Sequence, residues 1–252
     1  MDWPVLSNGT CTSAALSTIR VYWIGSTSFV NTTRWKTMCR FLLLAAPAPC
    51  DMRPLAVQFA QMCQRSTGLN GEGWQGDGWG VAWRHDRDGW QVQHSVAPIW
   101  TETDTLRHLP PTRHLLVHAR SASFAQHKGN IAYSQPYVYG PYAFVFNGFL
   151  KGVRLPRRVP GAIGAEKIWA LVQEQLAQGV PPQQALATVY AVLAQHSRDI
   201  QACNMGLSDG HTYVFYNGNP HGQAYYQLHQ AHQGALHMVC SEPFGPWEWQ
   251  AA

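Results

Sequence analysis

Residues 38–47 read MCRFLLLAAP, Met38 through Pro47, and the chain begins to look like a folded protein at this point. Four consecutive apolar side chains, Phe41 to Leu44, follow Cys39 and Arg40. A short unbroken apolar run bounded by breakers predicts a buried strand, ended here by Pro47 and Pro49, because proline cannot donate to a sheet ladder. Upstream the character is different. Residues 1–37 are rich in Ser and Thr, carry one acidic residue, Asp2, and show no sustained period of two or 3.6. They have neither the basic start nor the compact apolar core of a secretory signal. Their Arg-containing, acid-poor composition suits a transit leader, a propeptide or a start assigned too far upstream equally well. The expected organisation is therefore a leader over 1–38, absent from or disordered in the mature protein, and one domain over 39–252.

Downstream, the helical period resumes in RPLAVQFAQMCQRSTG, with Leu55, Phe59, Met62 and Cys63 on one face and a stop at Gly68. GWGVAWRHDRDGWQVQHSV reads as a hairpin turning at Asp88 and Gly89. RHLLVHARSAS and YAFVFNGFL are two further β-rich runs, each ending in polar residues. AEKIWALVQEQLAQG and PPQQALATVYAVLAQHS follow as helices, the second opening on prolines, which the first helical turn tolerates. HTYVFYNG, QAYYQLHQ and ALHMVCS return to strands. Strands, then two consecutive helices, then strands again predict α+β layers and not alternating βαβ units.

Composition excludes several classes of function. The chain has 252 residues, 46% apolar and 13% charged, which is globular and not disordered. A formal charge of +4 without a basic block indicates neither nucleic acid nor an anionic membrane as partner. No apolar run reaches the roughly 20 residues that span a bilayer. The six cysteines form no CxxC pair and the twelve histidines no HExxH, so neither a metal site nor a cofactor is expected. Small molecules are the expected partners and a reducing, cytoplasmic compartment the expected location.

Cys39 stands out because of Met38. A lone cysteine at a strand start is ordinarily inert packing. An initiator methionine is normally trimmed when a small residue follows, so a chain started at Met38 would begin with Cys39 and carry a free α-amine beside its own thiol. Such an amine, with a pKa of about 8, serves as the general base for its own side-chain nucleophile.

Five segments in this order, MCRFLLLAAP, GDGWGVAW, HARSAS, FVFNGFL and CSEPF, resemble the class II glutamine amidotransferase domain, an N-terminal-nucleophile hydrolase, and most of all its free-standing single-domain members, among them the γ-glutamyl hydrolases of the ergothioneine pathway. The resemblance implies a four-layer αββα sandwich of two mainly antiparallel sheets flanked by helices. It implies that Cys39 attacks the side-chain amide of glutamine or of a γ-glutamyl conjugate and forms a thioester that water hydrolyses. Asn147 and Gly148 match the oxyanion hole, and Arg120 the arginine that grips the substrate α-carboxylate. Ser123 falls where a residue contacts that same group, and Asp77 and Gly78 in GDGWG fall on the pocket wall, where glycine permits the turn and Asp77 holds the loop through backbone bonds. Any ammonia is expected either to be released or to pass to a separate ammonia-accepting synthase. His118, inside an apolar run, is expected to be a core histidine with its hydrogen bonds satisfied.

The sequence departs from the pattern at one end of the pocket. The aspartate that usually opens the first long helix and binds the substrate α-ammonium falls on Gly164, leaving Glu166 as the acidic residue of GAIGAE. The frequent NxHPF reads YSQPY over Tyr133 to Tyr137, and the histidine usual before Asn-Gly is Phe146. Amide chemistry with altered recognition of the amine end is the expectation. The competing expectation is a noncatalytic binding or regulatory protein that keeps the fold. A redox or metal protein has no residue spacing in its favour.

Overall fold

The structure, a computed structural model, describes residues 38–66, 75–85 and 87–252. The leader expected over 1–38, apart from Met38 itself, and the helix stop at Gly68 lie outside the described residues. Among the described residues there are eleven strands, β1 (Arg40–Cys50), β2 (Trp79–His85), β3 (Gly89–Ser95), β4 (Thr112–Ala119), β5 (Tyr137–Tyr139), β6 (Tyr142–Lys151), β7 (Asp199–Ser208), β8 (Tyr213–Tyr216), β9 (His229–Gln233), β10 (Leu236–Cys240) and β11 (Gln250–Ala251), and four α-helices, α1 (Arg53–Arg65), α2 (Thr103–Arg107), α3 (Gly164–Ala177) and α4 (Pro182–His196). The strands form a seven-stranded sheet, β11-β9-β10-β1-β4-β2-β3, and a four-stranded sheet, β5-β6-β7-β8, and all recorded pairings are antiparallel. The expected α+β architecture is present.

Alternation along the strands builds the four layers. On β1, Leu42 and Leu44 pack with Leu55 and Phe59 of α1, while Phe41 and Leu43 point the other way. Those two meet Leu116 of β4, Ala143 and Val145 of β6, and Val239 of β10, so the sheets lie face to face across a shared apolar layer. On β6, Phe144 and Phe146 face the opposite side and pack with Trp169 and Val172 of α3 and Leu186 and Val189 of α4. Successive side chains of a strand point to opposite faces, so both sheets are buried twice, between helices and each other. The order helix, sheet, sheet, helix is the expected sandwich.

Three element expectations need correction. β1 does not stop at the prolines: it runs to Cys50, which pairs with Thr112 after a register shift that follows Ala45. An irregularity in the ladder is where a proline, lacking its N–H, is tolerated in a strand. QAYYQLHQ is mostly not a strand; a 3-10 turn occupies Ala224–Tyr226 and β9 begins only at His229. The turn sends Tyr226 against Met38 and Ala202, and Tyr225 under the Arg40 guanidinium at 4.3 Å. The third is an omission, β7, the central partner of β6, which is buried along nearly its whole length and carries Gln201 and Asn204 among apolar residues.

The layer between the sheets also holds three buried histidines, His114 and His118 on β4 and His237 on β10. Burial pushes them down from the ordinary 6.5 to about 4, about 3 and about 4 respectively, with Arg120 adding to the effect at His118. Between about pH 4 and 6.5 the unfolded chain therefore binds protons that the folded one refuses, and stability falls as pH is lowered through that window. At about 1.4 kcal/mol per pKa unit, each histidine destabilises the fold by about 2 kcal/mol at pH 5 relative to pH 8. Denaturant midpoints measured from pH 8 to pH 5 are expected to drop, and to drop less in His237→Phe. A flat profile would contradict the buried, neutral assignment.

Candidate active site

Cys39 directly precedes β1, so strand alternation places it on the same side as Phe41 and Leu43, toward the space between the sheets. Behind it the sheet is anchored by Arg40, fully buried, whose Nε donates to Glu242 Oε2 at 2.6 Å; the Ser66 hydroxyl donates to the same oxygen. Two backbone groups of Ser121 meet the sulfur: the N–H donates to Sγ at 3.3 Å, and Sγ reaches the carbonyl oxygen at 3.5 Å. Burial pushes the Cys39 thiol above its ordinary value, opposed by the Ser121 N–H and by the Arg120 and Arg40 charges. Burial also raises Cys63, Cys203 and Cys240, with Cys203 at about 12. Those three are sealed in the core, whereas Cys39 opens on a cavity.

That cavity, about 560 Å3, is lined by Cys39, His118, Arg120, Ser121, Ser123 and Gly148 at one end, with Phe149, Ile163, Gly164 and Ile168 further along. A second hollow, about 150 Å3 over α3 and α4, holds none of the candidate residues. Arg120 sits just past β4, held by its own backbone, which donates to Gly78 O at 2.8 Å and accepts from Asp77 N–H at 3.0 Å. Its guanidinium donates to Asp77 O at 3.2 Å and to His127 O at 2.6 Å, and lies 5.6 Å from the Tyr133 ring centroid. Only 4% of Arg120 is exposed, and among the described residues no carboxylate pairs with it. Two of its five N–H groups are spent on carbonyls, so a buried cation faces the cavity with donors to spare.

Asp77 and Gly78 stand behind this arginine and do not line the cavity. The Asp77 carboxylate accepts from Ala122 N–H at 2.8 Å and from Lys128 Nζ at 2.9 Å, so it fixes the HARSAS turn. Gly78 has φ +120° and a Cβ there would come within 2.8 Å of Ser95 O, so only glycine fits. Asn147 and Gly148 lie near the end of β6, where Asn147 sits opposite Asn204 of β7. Alternation puts the Asn147 side chain on the Val145 side, toward the Cys39 layer; it is 1% exposed and neither its Oδ1 nor its Nδ2 has a partner. Gly148 lines the cavity with backbone alone, since a Cβ would run into Ala202 O.

His118 is buried as expected, and the polar group beside its ring is the Phe146 backbone. Gln135, in the segment read as YSQPY, is buried and clamps β6, accepting from Phe146 N–H at 2.6 Å and donating to Phe146 O at 3.2 Å. Glu166 is used at the start of α3, its Oε2 accepting from Ala162 N–H at 2.6 Å and Ile163 N–H at 3.2 Å. Sequence reasoning passed over Gln75 and Tyr225. Gln75 Nε2 donates to Met38 O at 3.1 Å, and Met38 N–H donates to Tyr225 Oη at 3.1 Å, so both grip the backbone next to Cys39. Among the described residues no cluster of three potential metal ligands occurs, and no helix is long and apolar enough to cross a membrane.

No protein-family model matches the chain, and no curated protein does. Among solved structures it is similar to a glutamine aminotransferase class-II domain protein from Silicibacter pomeroyi, with TM-score 0.51 at 17% identity over 82% of this chain and 90% of that one. It is also similar to the allosteric regulatory enzyme of purine biosynthesis, with TM-score 0.53 at 14% identity over 81% of this chain and 42% of that longer one. At such identities the likeness is one of fold. The architecture implied by the five motifs is the architecture these proteins share.

Proposed function

We propose that the chain is a cysteine-dependent amidohydrolase that cleaves the side-chain amide of a glutamine-type or γ-glutamyl compound. One observation carries the reading: a thiol touched by a backbone N–H opens on the same cavity as a buried arginine that has no carboxylate partner. Arg120 suits a substrate carboxylate, since a guanidinium binds that planar anion with paired donors and the desolvated charge gains its missing counter-ion. Bound there, the substrate presents its side-chain amide to Cys39. The sulfur adds to the carbonyl carbon, and the oxygen takes negative charge at the N–H of Gly148, which lines the cavity, with Asn147 Nδ2, buried next to it and outside the cavity lining, as the second donor. The carbon–nitrogen bond then breaks, ammonia or an amine leaves with the thiol proton, and a thioester remains. Water splits the thioester, returning the thiol and a carboxylic acid. No metal or cofactor takes part in this scheme.

The base is the α-amine of Cys39, which requires removal of residues 1–38. While Met38 is attached, the Cys39 nitrogen is an amide, and the hydrogen bonds to the thiol among the described residues come from the Ser121 backbone; its proton is held more tightly than usual. Gln75 and Tyr225 hold the Met38 backbone, next to where the new amine would form. That same observation favours the second reading, a noncatalytic protein, if the segment stays in place. Intact mass of the protein isolated after native expression, followed by ammonia release from γ-amides, decides between them. The expected result is a species starting at Cys39 that releases ammonia, and an inactive preparation of the Met38-containing form. An active form with Met38 still attached would overturn the proposed base, and an inactive Cys39 form would favour the binding protein.

A further inference from the structure

The walls of the cavity carry charge of one sign. Arg120, Lys151, Lys167 and Arg198 line it, and among its described lining residues there is no Asp or Glu. The carboxylates close by are engaged elsewhere. Asp77 is taken by Ala122 N–H and Lys128, Asp199 by Lys151 at 3.5 Å and His221 at 3.0 Å, and Glu166 by the two N–H groups ahead of α3. Gly164, the first residue of α3, also lines the cavity, at a helix start whose positive end is met by the Glu166 carboxylate. A free amino acid entering here would find a partner for its carboxylate but, among the described lining residues, no acidic side chain for its ammonium. An ammonium taken out of water without a counter-ion loses solvation that nothing replaces.

The rest of the wall is apolar. Phe149, Val153, Leu155, Ile163 and Ile168 also line the cavity, and its volume of about 560 Å3 lies within the about 300–1,000 Å3 of small-molecule pockets. We infer that, granting the amide chemistry proposed above, the substrate has no free α-ammonium: it is a glutamine-type ω-amide whose α-nitrogen is acylated by an apolar chain. Acylation removes the charge for which the described lining has no counter-ion, keeps the carboxylate Arg120 attracts, and covers the apolar wall. A large substituent on the side-chain amide would fill the same volume but would leave the ammonium in place, so it does not resolve the charge mismatch. The absence of an acidic residue is not forced by crowding. A Cβ at Gly164 would meet nothing within 4 Å, and its backbone is not left-handed.

The test compares ammonia release from N-octanoyl-L-glutamine, N-acetyl-L-glutamine and free L-glutamine with aniline release from a γ-glutamyl anilide, using protein beginning at Cys39. The octanoyl compound is expected to exceed free glutamine at least tenfold in kcat/KM, with the acetyl compound between them. Gly164→Asp is expected to narrow or reverse that ratio, by supplying the ammonium with a carboxylate at a helix start that favours acidic residues. Protection of Cys39 from iodoacetamide is read in parallel, and N-octanoyl-L-glutamate is expected to protect where L-glutamate does not. Preference for free glutamine or the anilide would overturn the inference while leaving amide hydrolysis intact. Hydrolysis of none of the four with no protection by either acid would sink both; the wild-type comparison stands even if the Gly164→Asp protein fails to fold.

Discussion

Cys39→Ala is expected to reduce γ-amide hydrolysis by about 10^4-fold or more, the size of effect seen when a covalent nucleophile is removed and only binding groups remain. The fold should survive it. Cys39 lies at the edge of β1, partly exposed, and its sulfur makes only two weak contacts with the Ser121 backbone. The change in unfolding free energy is accordingly expected to stay within about 1 kcal/mol. Cys39→Ser keeps the shape but not the acidity, and should also be inactive, which separates chemistry from packing. In the active form the rate should rise with pH through about 8, as the α-amine loses its proton, because the buried thiol is held above its ordinary value and needs that base. Full activity in Cys39→Ala would remove the thioester from the mechanism altogether.

The fold was legible where local pattern and burial agree. β1, α1, α3 and α4 carry apolar runs or helical periods that match their buried faces, and the Asp88-Gly89 turn sits between β2 and β3 where the hairpin pattern put it. β7 was not legible. It is buried along nearly its whole length, yet holds Gln201, Asn204 and Gly206, and a Cβ at Gly206 would come within 2.7 Å of Leu43 Cδ1. Polar and glycine residues in a doubly covered strand break the alternation that sequence reading relies on. Pro47 and Pro49 misled in the other direction, because a ladder irregularity that admits proline leaves no local mark.

The candidate site divides in the same way. Cys39, Arg120 and Gly148 could be picked out from short motifs, and the structure brings them, with Ser123, to one cavity. What sequence could not reveal is contact between distant segments. Glu242 answers Arg40 across the whole domain, and Gln75 and Tyr225 reach the Met38 backbone from two separate loops. Nor could it show that the Phe146 backbone lies beside the His118 ring, since the apolar run around it predicts burial but says nothing about where its ring nitrogens point.

Asn147→Ala is expected to lower kcat by about 10^2 to 10^3-fold with KM little changed, since a donor aimed at a developing oxyanion acts mainly in the transition state. Stability gives the more telling half of the result. Buried polar atoms without partners are rare in native proteins and mark strain or function, and both side-chain atoms of Asn147 are such atoms. Removing them forfeits no hydrogen bond, so the variant is expected to unfold at the same denaturant concentration as the parent or a higher one. A structural role would show the reverse. Asn204 stands opposite in the ladder, donating to Tyr226 O at 2.7 Å while its own Oδ1 has no partner, and it is the acceptor Asn147 would take if its purpose were to tie β6 to β7. Loss of about 1 to 3 kcal/mol in Asn147→Ala with kcat intact would therefore assign the residue to the sheet and remove it from the oxyanion hole. Retained stability with lost turnover would mean that the fold keeps an amide out of water and without a partner so that the substrate oxygen can have it.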